Sequence, residues 1–295
     1  MVFFSNCASR DLSVNVKQDS YIAPFESSDF TSENTLDEQL EQLEEEDLSI
    51  DLSGSAFIET DQMTAEEIET FITNSSASAE AEQSIHQSWD DLLSKHVSRD
   101  GLVNYSGFKS DWKDLRNYIE NLGVNIPDNT YNRSDKLAYW INAYNALTVD
   151  LILRNYPLKS IKDINGPWNQ RLWKLGDKWY NLDEIEHQIL RKMNEPRIHF
   201  AIVCASYSCP KLMNKAYLGS KIDDQLTKAT EEFLSDKNRN SITSDALEIS
   251  KIFQWFAKDF KQNGTLIDFL NRYSGGKISP KAKIRYKTYD WALNE

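Results

Sequence analysis

IHFAIVCASYSCPKL, residues 198–212, decides how the chain is read. From Ile198 to Cys204 it is apolar apart from His199 and rich in β-branched side chains, and the Ser- and Pro-containing ASYSCP follows. A short apolar run bounded by turn formers predicts a buried strand that opens into a loop. Alternation along such a strand places His199, Ala201 and Val203 on one face and Phe200, Ile202 and Cys204 on the other. Cys204 then stands at a strand end, where scaffolds commonly present reactive groups, and a direct pair with His199 is disfavoured. Four roles stand open for Cys204 and Cys209: a nucleophile with its neighbour, half of a metal site, a disulfide, or the end of a packed strand.

The residues upstream bear on that choice. In LDEIEHQILRKM, residues 182–193, Leu182, Ile185, Ile189 and Met193 form the apolar stripe of a helix, and Glu186 projects close to its centre. A carboxylate in such a place must be paired or must raise its pKa. His187 lies at the edge of the stripe, free to act as the base of Cys204, with Glu186 holding the imidazole. Lys136 to Pro157 reads as a helix that is apolar on nearly its whole circumference, yet Asn142 and Asn145 stand three apart on one side of it. Their amides either tie loop carbonyls to the helix, or one of them orients a substrate or a catalytic imidazole.

The spacing H-x4-C-x4-C of His199, Cys204 and Cys209 is not a usual zinc pattern, and no metal ligand is assigned. A bridge between Cys204 and Cys209 would close a small loop and contribute little entropy. A glycine-rich phosphate loop, GxSxG and HExxH are all missing, and no cofactor is assigned.

Charge divides the chain. Residues 1–84 hold 20 acidic residues against Arg10 and Lys17, a net of −18, while the whole chain stands at −13. Residues 85–295 therefore carry +5 and all eight tryptophans. A stretch such as LDEQLEQLEEEDLSIDL has too little apolar surface to offset its ordering entropy, so residues 1–84 are expected to be a mostly disordered acidic tether, with a short amphipathic helix from Leu36 to Leu48 as the other reading. The dispersed basic excess of the second part makes nucleic acid a poor partner. No apolar run is long enough for a membrane span. MVFFSNCAS resembles the end of a bacterial lipoprotein signal with Cys7 as the lipid carrier, which predicts a cell-envelope location if Cys7 is lipidated and a cytoplasmic one otherwise.

Residues 85–295 alternate helices with short strands: a helix near 85–95, a turn and strand in RDGLVNYSGF, a helix DWKDLRNYIENL ending at Gly123, and a hairpin in LWKLGDKWYNL. Asn181 and Glu184 form a capping pair, SITSDALEIS is hairpin-like, and KIRYKTYDWAL closes the chain. Helices outweigh strands, so the expected fold is α+β: one helix-rich domain with a small, mostly antiparallel sheet.

In order, YWINAYNALTVDLIL, YPLKSIKDI, NLDEIEHQILR, IHFAIVCASYSCP, LEISKIFQWFAKDF and YKTYDWALN resemble the motifs of the family called domain of unknown function 547, over about residues 86–295. The resemblance implies exported bacterial relatives and matches Glu186, His187, His199 and Cys204 to the family pattern, without implying an activity. Two functional expectations follow. One is a thiol-dependent hydrolase or acyl transferase acting on a small-molecule or peptide substrate, with Cys204 as nucleophile, His187 as base, Glu186 as orienter, His199 nearby, and Asn142 or Asn145 contacting the substrate or its oxyanion. The other is a non-enzymatic envelope module that binds peptide or glycan through Trp168, Trp173 and Trp179.

Overall fold

The computed structural model describes residues 84–295, together with Thr64 and Glu82. The residues expected to form the acidic tether or, in the other reading, a helix from Leu36 to Leu48 lie outside the described residues, as does Cys7.

Helix α1 (84–96) leads to a turn at Gly101 and a single bridge between Val97 and Val103, where a short strand was expected. Asn104 ends any strand there, because its side chain accepts from Gly107 N (2.9 Å) and starts α2 (Tyr105–Ser110). Helix α3 (Trp112–Val124) runs through Gly123 and stops one residue beyond it. Helix α4 (Arg133–Asn155) is the axis of the domain, and every residue from Leu137 to Leu153 is buried. A helix covered all round must satisfy its polar side chains internally. Asp150 does so by accepting from Trp112 Nε1 (2.7 Å), Trp173 Nε1 (2.7 Å) and Arg154 Nε (2.6 Å).

The hairpin forms as expected, β1 (Trp173–Leu175) pairing antiparallel with β2 (Lys178–Tyr180) across Gly176, whose φ of +59° suits glycine. Asn181 caps the next segment through Glu184 N (2.8 Å), but Glu184 turns its carboxylate to Arg171 and Lys178. That segment, Glu184–Leu190, is π-helical, and a 3-10 turn at Arg191–Met193 follows it. The 3.6-residue period used to place Glu186 and His187 therefore does not hold there.

The strand expected at 198–204 is absent. Pro196–Phe200 is a 3-10 helix, opened by Glu195, whose side chain accepts from Arg197 N (3.3 Å), and the chain then runs irregularly through Val203. The run is buried as read, but its backbone is satisfied differently. Asn145 Nδ2 donates to Ala201 O (2.9 Å) and Asn145 Oδ1 accepts from Val203 N (2.9 Å), so a side-chain amide of α4 stands where a neighbouring strand would.

Beyond it lie α5 (Ile222–Ser235), the antiparallel pair β3 (Ser241–Ile242) and β4 (Ala246–Ile249), and three helices, α6 (Ile252–Trp255), α7 (Ala257–Phe260) and α8 (Leu266–Tyr273). Strand β5 (Lys283–Tyr286) joins β4 in parallel, so the sheets hold two antiparallel pairings and one parallel. The fold is α+β and helix-rich, as read from the sequence. One apolar core surrounds α4, and a second, built on Phe200, Phe233, Phe253, Phe260 and Phe269, sits against β4. After β5 the chain returns across the first core, bridging Ser160 with Ala292 and Ser206 with Leu293. That return lays Tyr289 and Trp291 beside the cysteine loop.

Candidate functional site

The site is built from the loop 203–209 and the returning C-terminal segment. Asn145 holds Val203, and Ala205 takes a left-handed φ of +58°. A turn from Cys209 N to Ser206 O (3.1 Å) brings the two cysteines face to face. The antiparallel bonds Tyr207 N to Ala292 O (2.6 Å) and Asn294 N to Ala205 O (3.3 Å) fix the C-terminal segment to this loop. Arg239 Nε adds a bond to Cys209 O (2.7 Å). The loop is held from three directions before any side-chain chemistry is considered.

Cys204 and Cys209 are both free thiols; Cys204 is half-exposed and Cys209 buried. The backbone N–H of Cys204 donates to Cys209 Sγ (3.1 Å), and Tyr289 OH donates to the same sulfur (3.2 Å). Ser206 Oγ donates to the Tyr289 hydroxyl oxygen (2.9 Å), while Cys204 Sγ lies 3.2 Å from Ser206 Oγ and 3.4 Å from Tyr289 OH. The Ser206 hydroxyl proton is thus directed to the Tyr289 hydroxyl oxygen and the Tyr289 proton to Cys209, which leaves Cys204 as the protonated sulfur. Burial alone would raise the Cys209 thiol, but the hydrogen bonds from Cys204, Ser206 and Tyr289 outweigh it and bring it down to about 6. The same bond to Cys209, then burial, pushes Cys204 well above the ordinary thiol range. The two sulfurs behave as one acid that shares a proton.

No imidazole bonds either sulfur among the described residues. Arg191 Nη1 donates to His187 Nδ1 (3.2 Å), so Nδ1 is an acceptor, and His187 Nε2 stands 3.5 Å from Asp183 Oδ1. His199 Nε2 is bonded to Asp259 Oδ2 (2.8 Å), with its ring stacked on Phe256 at 3.9 Å. Asp259 also takes a two-point contact from Arg191, at 2.8 and 3.0 Å. Burial would raise this carboxyl, yet the bonds from His199 and Arg191 hold it far below the usual carboxylate range. Glu186 is buried and accepts from Tyr144 OH (3.0 Å), so it holds a tyrosine where an imidazole was expected. Burial, then Glu186 and the two cysteines, raise the Tyr144 phenol, which places it electrostatically between the carboxylate and the thiols.

Of the residues read from the sequence, the structure assembles Cys204 with Cys209, not with His187 or His199. Asn142 and Asn145 are clamps on backbone: Asn142 Nδ2 donates to Tyr217 O (2.7 Å) and its Oδ1 accepts from Tyr217 N (2.9 Å), as Asn145 does at Ala201 and Val203. Both are buried with their amides occupied by backbone, the first of the two roles read for them from the sequence. Trp173 is buried on Asp150 and Trp179 is exposed on the hairpin, so the three tryptophans expected to form a binding face do not stand as one. A different aromatic group flanks the thiols. Tyr289 meets Trp255 (4.8 Å) and Trp291 (4.6 Å), and Trp291 meets Trp168 (5.9 Å), all four half-buried. Among the described residues no three His, Cys, Asp or Glu side chains are arranged to hold a metal ion. Sequence reasoning missed Ser206, Tyr289, Trp255, Trp291, Arg191 and Asp259, although all lie within the quoted motifs.

Fold and site together define a helix-rich α+β domain with a hydroxyl-bonded pair of free thiols at a loop. Residues 128–234 match the family described as "Protein of unknown function, DUF547", which supports over those residues the resemblance read from the sequence. No curated protein and no solved structure matches the chain.

Proposed function

We propose that this domain is a thiol-dependent hydrolase or acyl transferase with Cys204 as its nucleophile and a small molecule or peptide as its substrate. The observation that carries the reading is the single Tyr289 hydroxyl that reaches both sulfurs, beside a thiol that is half-exposed. In it Cys209, already favoured as thiolate, takes the proton of Cys204 in the role expected of His187. The Cys204 thiolate then attacks an acyl carbon and forms a thioester, while the proton on Cys209 is available for the leaving group. Water or an acceptor amine releases the acyl group. His187, Arg191 and Asp259 form a separate ionic cluster that positions the helical segment carrying Glu186 and Tyr144's partner oxygen. The proposal extends to attachment at the bacterial envelope through a lipid on Cys7.

p-Nitrophenyl acetate tests it on the reduced full chain. A burst of one nitrophenolate per chain, with acetyl found on Cys204 by peptide mass spectrometry and absent in Cys204→Ser, is the expected result. A burst that survives Cys204→Ser refutes the assignment.

A second reading, a peptide- or glycan-binding module without chemistry, draws on the half-buried Trp168, Trp255, Tyr289 and Trp291, with Lys162 Nζ 4.7 Å over the Trp291 ring. It requires tryptophan fluorescence to respond to oligosaccharide or peptide with equal affinity in the wild type and in Cys204→Ser.

A further inference from the structure

In acyl transfer Cys209 serves only as a base, a role that does not require a sulfur, yet the chain spends considerable structure on holding a second thiol against Cys204. We infer that Cys204 and Cys209 are a redox-active dithiol that reduces disulfide bonds of a partner molecule and closes into a Cys204–Cys209 disulfide, an activity beyond the acyl chemistry above.

Three features of the loop carry the inference. The sulfurs lie within hydrogen-bonding reach of each other, and the turn between them is closed by Cys209 N to Ser206 O and clamped by Arg239 and the C-terminal segment. Their exposures are unequal: Cys204 is only partly buried and Cys209 is 3 % exposed. Disulfide exchange needs that asymmetry, an accessible thiol to attack the partner and a sheltered one to resolve the mixed disulfide. Third, the donors of the site converge on the sheltered sulfur. The Cys204 N–H and the Tyr289 hydroxyl both point at Cys209 Sγ, so its thiolate stays stabilised after Cys204 has become part of a disulfide. In the half-buried tryptophans beside Cys204 the partner finds an apolar rim for the groups that flank its disulfide.

The proton of Cys204 passes to Cys209, and the Cys204 thiolate attacks one sulfur of R–S–S–R′. A Cys204–S–S–R mixed disulfide forms, the S–S bond of the partner breaks, and R′S⁻ takes a proton from solvent. Cys209 returns its proton to solvent and attacks Cys204 Sγ. The Cys204–Cys209 bond forms and RS⁻ leaves to be protonated. The protein dithiol is oxidised by two electrons, the partner disulfide is reduced to two thiols, and one net proton is drawn from solvent because the resting pair holds one.

The test uses the full chain with Cys7→Ser, so that these are its only cysteines. The reduced protein is mixed at pH 7 with oxidised glutathione or, in a second arm, with a disulfide-linked peptide, then acid-quenched, alkylated and weighed. Expected are the loss of two hydrogens per chain, two released thiols, and a rate at least about tenfold above that of the same chain unfolded in urea, where both thiols are mostly protonated. Cys209→Ser is expected to stop at the mixed disulfide on Cys204, and Cys204→Ser to react far more slowly. The faster arm identifies whether the partner is a small disulfide or a polypeptide. A wild-type chain that accumulates the mixed disulfide, or that closes no faster folded than unfolded with either partner, overturns the inference. Because the acetyl burst and the loss of two hydrogens are read separately on the same wild-type cysteine pair, a chain that oxidises glutathione without an acetyl burst fails only the acyl reading, and one that acetylates Cys204 without closing the disulfide fails only this inference.

Discussion

Replacing Tyr289 by phenylalanine removes one oxygen from the centre of the thiol network and leaves the ring between Trp255 and Trp291. The lost hydroxyl donates to Cys209 Sγ at 3.2 Å and accepts from Ser206 Oγ at 2.9 Å. A hydrogen bond to a charged group is worth about 1.5–3 kcal/mol. Since about 1.4 kcal/mol corresponds to one pH unit, removing the bond moves the apparent midpoint of the sulfur pair from about 6 to about 7 or 8. The sign follows from the thiolate being the stabilised form: the wild type loses its proton at lower pH, and the variant needs a higher pH to reach the same thiolate population. The assay is the iodoacetamide alkylation rate between pH 5 and 9, followed by mass spectrometry of the peptide that carries both cysteines. An unchanged midpoint with an intact fold refutes the claim that the Tyr289 hydroxyl stabilises the thiolate.

Other substitutions probe the frame. Asn145→Ala leaves the buried Ala201 C=O and Val203 N–H without partners, and at about 1–3 kcal/mol for each group this costs roughly 2–6 kcal/mol in urea unfolding. A loss under about 1 kcal/mol contradicts the clamp, because even one orphaned buried group costs that much. Asp259→Asn breaks the contacts to Arg191 and His199 and costs about 3 kcal/mol at pH 7. The folded carboxyl is held below its unfolded value, so the contribution is full above the ordinary carboxylate range and is lost as pH falls through the lower folded value. The stability gap between wild type and variant therefore narrows in acid, and a gap independent of pH down to acid unfolding contradicts the assignment. Glu186→Gln keeps an acceptor for Tyr144 and is expected to cost on the order of 1 kcal/mol while leaving the alkylation midpoint of the cysteines in place. A shifted midpoint makes Glu186 part of the thiol machinery.

These residues also show what local sequence can and cannot carry. Helix α4 was legible because apolar residues surround it on all sides, and the β1–β2 hairpin because Gly176 supplies the positive φ its turn requires. The run 198–204 was read correctly as buried and incorrectly as a strand. An apolar β-branched stretch says that the backbone needs partners but not where they come from, and here they come from Asn145, nearly sixty positions away. Glu186 and His187 were placed by a 3.6-residue period that the π-helical turn does not keep. In the site, Cys204 was legible from its position after the apolar run. Its working partners were not, since Tyr289 arrives from 85 positions away on a segment that crosses the first core.

The central claim is that the folded site activates Cys204. The most direct measurement is the rate of Cys204 alkylation by iodoacetamide at pH 6.5 in the reduced Cys7→Ser chain, folded and then unfolded in urea. An unperturbed cysteine is about 1 % thiolate at that pH, whereas a pair whose first midpoint is about 6 has mostly lost one of its two protons, and the Cys209 thiolate so formed is the base that takes the proton of Cys204 as it attacks. The predicted result is several-fold faster alkylation of Cys204 in the folded chain, half-exposed though it is. Slower alkylation in the folded chain than in the unfolded one contradicts the account and leaves Cys204 as a packed structural thiol.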